Sequence, residues 1–100
     1  MKRFDIAAGT KGIKYSVVFN KLGATIFGEE NRSRYVRYAD ISEINDYNTF
    51  SQYKDFILKT GRNHWSTNII LSDIDETSCK KLMHEFNTRM DLLYSVSTHQ

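Results

Sequence analysis

Proline is absent from this chain, cysteine occurs once, and glycine only five times. Without proline there is no Pro-rich spacer, and five glycines are too few for a Gly/Ser linker. A lone cysteine, Cys79, excludes an intrachain disulfide, so the fold must be held by its core, which fits a reducing compartment. Long apolar runs are missing too. No stretch approaches the roughly 20 residues of a membrane-spanning helix. The opening Met1-Lys2-Arg3-Phe4-Asp5-Ile6 is basic but has no apolar run behind it, unlike a signal peptide. These absences lead to the expectation of a cytoplasmic domain without a transmembrane segment.

What is present is one domain's worth of chain. The 100 residues are 40% hydrophobic, 13% aromatic and 26% charged, an ordinary globular composition. A chain of this size buries only about two-thirds of its unfolded surface, enough for one core and not two. The formal charge is +2, unevenly spread. Residues 1–37 carry eight basic against three acidic side chains, a net of +5, whereas residues 38–100 carry six against nine, a net of −3. That asymmetry suits one basic and one acidic face, or simply a solvated surface.

Short β-like runs follow one another through the first three-quarters of the chain. Phe4, Ile6 and Ala8 suggest a strand near 2–8, ended by Gly9-Thr10-Lys11-Gly12. Ile13, Tyr15, Val17 and Phe19 then alternate with Lys14, Ser16, Val18 and Asn20, which places the first set on one strand face. Asn20-Lys21-Leu22-Gly23 reads as a hairpin loop before Ala24-Thr25-Ile26-Phe27. Arg34-Tyr35-Val36-Arg37-Tyr38 is rich in strand formers, Asp40 marks a bend, and Ile44 begins a further strand. Asn48 to Tyr53 reads as a polar loop around Phe50. Lys54–Thr60 and His64–Ser72 complete about seven strands before residue 73.

The hydrophobic period then changes. Cys79, Leu82, Met83, Phe86, Met90, Leu93 and Tyr94 recur three and four apart, one stripe of an amphipathic helix. Asp73 can cap it, with Glu76 three residues on, and Asp75 adds negative charge at the positive end. The spacing predicts a helix over 74–95, about 30 Å long, with a polar tail at 96–100. The predicted fold is mainly β: seven antiparallel strands closed by one C-terminal helix, in a single domain over 1–100.

That element order resembles the pleckstrin-homology-like superfold. The segment Tyr35-Val36-Arg37-Tyr38-Ala39-Asp40-Ile41-Ser42-Glu43-Ile44 is similar to the family's strand ending in an aspartate-isoleucine step, followed by a new strand three residues later. The resemblance implies sheets of four and three strands in a partly open barrel, with the helix plugging one end. The alternative layout is a helix lying across one face of a curled sheet. Phosphoinositide-binding members carry a basic signature after the first strand. Lys11 and Lys14 stand at roughly that place, but the signature's arginine is Ser16 here, which argues against tight lipid binding.

No catalytic constellation is visible. His64, His84 and His99 are far apart, and His84-Glu85-Phe86-Asn87-Thr88 puts threonine where a zinc-protease helix needs its second histidine. Cys79 sits on the apolar stripe, where cysteine is usually buried and inert. Gly9 and Gly12 lack the lysine-serine/threonine pair of a phosphate loop. Neither a metal, a cofactor nor an enzymatic activity is therefore expected. Arg32, Arg34 and Arg37 interleave with Tyr35 and Tyr38, a pattern that can hold phosphates and stack on bases. Tyr35 and Arg37 should share one strand face and Val36 and Tyr38 the other. Tyr47, Phe50 and Tyr53 among Ser, Asn and Gln suit a protein-contact surface, or a minor core under the loop.

The expected function is a non-enzymatic protein-binding module, an adaptor or an inhibitor such as a phage or mobile-element protein that blocks a host complex. Its contact residues would be Arg32, Arg34, Arg37, Tyr47, Phe50 and Tyr53. The alternative is a module for anionic ligands, phosphoinositide headgroups or nucleic acid, read by Lys11, Lys14 and Lys21 with the arginines. A homo-oligomer through an exposed strand edge or part of the helix is a third expectation.

Overall fold

Wherever the sequence alternates, the chain forms strand, and the alternation sets which side chains meet. Tyr15, Val17 and Phe19 are buried and the residues between them half-buried. The computed structural model describes residues 1–28, 32–49, 52–61 and 67–98, with side chains as far as Leu93. Its elements run β1 (Lys2–Ile6), β2 (Tyr15–Phe19), β3 (Gly23–Phe27), β4 (Ser33–Arg37), a 3-10 turn (Tyr38–Asp40), β5 (Ile41–Asn48), β6 (Lys54–Thr60), β7 (Thr67–Ile74) and α1 (Glu76–Thr98). The predicted fold class is the observed one: mainly β, seven antiparallel strands and a C-terminal helix.

The strands make two antiparallel sheets, a four-stranded one in the order β1-β2-β3-β4 and a three-stranded one in the order β5-β6-β7. They are not closed into a barrel, and among the described residues no backbone ladder joins them. The 3-10 turn at Asp40 carries the chain from one sheet to the other, at the predicted bend.

One core lies between the sheets and under α1. Val17, Phe19 and Val36 of the first sheet meet Phe56, Leu58 and Leu71 of the second, and Cys79, Leu82 and Phe86 of the helix close over them. Phe86 is the centre of the closure. Its ring lies 4.9 Å from Phe19 and 6.3 Å from Tyr38, both edge-on, and stacks on Phe56 at 5.8 Å. Arg89 and Glu85 seal the rim: Arg89 donates to Glu85 at 2.8 Å and to the Asn20 carbonyl at 3.0 Å, while Lys2 reaches Glu85 at 3.2 Å.

Four local expectations are corrected. Asp73 does not cap the helix. It lies within β7, with φ +62, and its carboxylate points to the β1–β2 loop. The cap is Asp75, which accepts the Ser78 N–H at 3.0 Å through its side chain and the Cys79 N–H at 3.0 Å through its carbonyl. The helix accordingly starts at Glu76 and runs through the predicted polar tail to Thr98. Finally, β5 runs from Ile41 to Asn48, so the strand expected from Ile44 starts earlier and the polar loop expected from Asn48 starts one residue later.

Candidate functional site

The geometry of the β1–β2 loop begins with Asp73. Thr10 donates its hydroxyl to both carboxylate oxygens, at 3.0 and 2.9 Å, and the Lys11 N–H donates at 2.8 Å. That N–H, with Thr10 behind it, holds the buried Asp73 carboxyl below its ordinary pKa, against the opposing effect of burial. Gly9 is required here because a Cβ would run into the Asp73 carbonyl and carboxylate. The sequence-predicted Lys11 and Lys14 are therefore presented on a fastened loop. Both are exposed, and neither makes an ion pair among the described residues.

Two clefts lie between the sheets, and among the described residues none of α1 lines either of them. A cleft of about 460 Å3 is lined by Tyr15, Ile26, Gly28, Arg32, Ser33, Arg34, Ile69 and Ile70. A second of about 390 Å3 continues along β4 past Val36 and Arg37 to Gly61, and shares Arg34 and Ile69 with the first. Both lie between β4, the last strand of one sheet, and β7, the last strand of the other. Among the described residues, side chains link the two sheets here: Arg34 donates to the Thr67 hydroxyl at 3.5 Å, and the Tyr15 hydroxyl accepts the Ser72 N–H at 3.2 Å and lies 3.4 Å from the Ser72 hydroxyl.

Hydrogen-bond phase shows what the two strands offer to the gap. In an antiparallel ladder, residues alternate between bonding one neighbour and the other. At the β5–β6 turn Thr49 N–H bonds Tyr53 C=O, so the odd residues of β6 bond β5 and the even ones bond β7. With Leu58 opposite Ile69 and Thr60 opposite Thr67, the backbone groups of Asn68 and Ile70 point away from β6, into the gap. The same reasoning from Gly28 N–H to Arg32 C=O turns the backbone of Ser33, Tyr35 and Arg37 outward from β4. Two strand edges without backbone partners among the described residues thus flank the clefts.

The candidate residues separate into distinct places. Val36 and Tyr38 are buried and Tyr35 and Arg37 exposed, the predicted division of faces. Arg34 shares the inner face with Val36 and lies opposite Ile26, where that face runs out into the cleft. Among the described residues its guanidinium meets only the Thr67 hydroxyl and no carboxylate. Arg37 is engaged, donating twice to Asp40 at 2.9 and 3.0 Å. Arg32 lines the first cleft. Tyr47 lies 57% exposed on the outer face of β5, and Tyr53 is half-buried, its carbonyl taking both donors of Thr49; neither lines a cleft, nor do Lys11 and Lys14. Phe50 lies outside the described residues.

Sequence reading missed Thr67, Ile69 and Ile70 as site residues. The signal was there: three consecutive apolar residues, Ile69-Ile70-Leu71, cannot all face the core of a period-two strand. Ile70 is the one left out, 51% exposed. Cys79 is buried, and that burial pushes its thiol up to about 11. Among the described residues no His, Cys, Asp and Glu side chains group as metal ligands, and no helix is long and apolar enough to cross a membrane. No protein-family model, curated protein or solved structure matches this chain.

Proposed function

We propose that this chain is a non-enzymatic protein-binding module, an adaptor or inhibitor, on a pleckstrin-homology-like scaffold. The order of four strands, three strands and helix supports the scaffold. One observation carries the function: among the described residues, the gap between β4 and β7 holds two unpaired strand edges, the exposed Ile70 at its rim and an arginine that meets no carboxylate. Open edges and an uncompensated guanidinium on one surface are what a complementary protein surface completes. The test is affinity capture from nuclease-treated host lysate with the wild-type chain and with R34E. A protein partner retained by wild type and lost with R34E supports this reading. A partner indifferent to R34E, or recovery abolished by nuclease, overturns it.

A second reading has its own observation, the loop that Asp73 fastens, which presents Lys11 and Lys14 to solvent without ion-pair partners among the described residues. Such a surface suits an anionic headgroup or nucleic acid. Binding of that kind falls steeply with salt and is lost in K11E/K14E.

A further inference from the structure

We infer that the occupant of the gap is an extended acidic segment of a partner protein that adds as a strand to the edge of β7 that has no backbone partner among the described residues. This rests on the protein-binding reading and names the chemistry of the partner. Asn68 and Ile70 offer outward N–H and C=O groups spaced two residues apart, the repeat an incoming strand matches. Their neighbour on the cleft side is Arg34, whose charge is permanent and which meets no carboxylate among the described residues; its one contact there, the Thr67 hydroxyl at 3.5 Å, is weak and neutral.

Side-chain chemistry follows from the pleat. A strand beside β7 turns alternate side chains to the two faces of the sheet. Those on the inner face approach Arg34, with Arg32 lining the same cleft, and a carboxylate there completes a charge-assisted pair. Those on the outer face lie beside Ile70, which pairs across the ladder with Ile57, so apolar side chains extend an existing row. The recognised segment therefore alternates acidic and apolar residues. The local surplus of positive charge in residues 1–37 favours its approach.

A displayed library of random linear peptides, selected on the purified full chain, tests this. The expected winners alternate Asp or Glu with Val, Ile or Leu. Bound, they slow hydrogen exchange at the Asn68 and Ile70 amides, and R34E weakens them about tenfold. N68P removes an outward N–H without touching the β6 ladder, and should also weaken them about tenfold. Methylating alternate peptide nitrogens must do the same, and that change cannot disturb the protein's own fold. The inference is overturned if no peptide is enriched, if winners lack acidic residues, or if protection appears on the Lys11–Lys14 loop instead. It is equally overturned if inorganic phosphate or phosphatidylserine vesicles protect the same amides, or if light scattering shows a dimer that covers β7. An R34E-sensitive partner from lysate together with failed peptide selection removes strand addition and leaves the protein-binding reading standing. Failure of both removes both.

Discussion

The two ends of the space between the sheets are built from the same strands and differ in what fills them. At the helix end, β2 delivers Phe19, β6 delivers Phe56, the 3-10 turn delivers Tyr38, and α1 drops Phe86 among the three. All four rings are fully buried. At the other end, the same concave faces bury Tyr15, Ile26 and Ile69 between the sheets and finish on the exposed Arg34, and among the described residues no α1 side chain lines the cleft there. Burial of large rings brings stability in proportion to the area removed from water. An exposed arginine and backbone edges without partners among the described residues bring none. The molecule thus buries its large rings at one end and leaves exposed polar groups at the other, and mutations should separate accordingly.

The largest effect belongs to the closed end. Phe86→Ala removes a ring with three aromatic neighbours and leaves a cavity under the helix; it should cost about 3–5 kcal/mol. In a domain whose total stability is about 5–15 kcal/mol, that is a large share. Denaturant unfolding followed by circular dichroism measures it. A loss no larger than that of a surface substitution would mean that the helix is not the plug.

Second comes the fastening of the β1–β2 loop. Asp73→Asn keeps the shape but removes the charge that Thr10 and the Lys11 N–H are arranged to meet, and Gly9→Ala drives a methyl into the same carboxylate. Both should lower Tm and speed amide exchange in residues 9–12. The pH dependence has a definite sign. The folded carboxyl titrates below its ordinary value, so its contribution is present above the unfolded pKa of about 4 and is lost as pH falls through the lower folded one. Wild type should therefore destabilise more steeply than D73N on acidification below about pH 4.

These residues also show how far the sequence was legible. Alternation in 13–19 and the three-four stripe from Cys79 to Phe86 named the core faces, because burial imposes its period directly on residue type. Asp73 was not legible as a loop tie. An aspartate three residues before a glutamate at a helix start satisfies the capping pattern, and nothing local reveals that Asp75 serves while Asp73 reaches a loop more than sixty residues away. The cleft was half-legible. Arg32 and Arg34 stood out by charge, but their apposition to Ile69 and Ile70 depends on how two separate sheets face each other, which no spacing within one strand encodes. Tyr47 stood out by composition and lies elsewhere, on the outer face of β5.

Next in size is the helix cap. Asp75→Ala leaves the Ser78 N–H without its acceptor and should cost about 1 kcal/mol. Hydrogen bonds from Ser78, side chain first, hold the Asp75 carboxyl below its ordinary value, so this contribution too is present at neutral pH and fades in acid. Asp75→Asn, which retains a capping oxygen, should recover most of it. Equal losses in the two variants would assign the effect to charge alone.

The smallest stability effect belongs to the residue on which the open end depends. Arg34 is exposed, its one contact among the described residues is a long hydrogen bond to a hydroxyl, and none of their charges is left unpaired by its removal. R34E should change unfolding free energy by less than about 0.5 kcal/mol, the range of ordinary surface substitutions. Tyr47→Ala, far from both clefts, should be similarly mild in stability and, unlike R34E, should leave partner capture intact. That pairing sharpens the contrast between the two ends. Measured by thermal unfolding alongside lysate capture, R34E ought to be silent in the first and decisive in the second. If it unfolds the domain instead, Arg34 is a strut holding the two sheets apart through Thr67, and the division between a stabilising end and a recognising end fails.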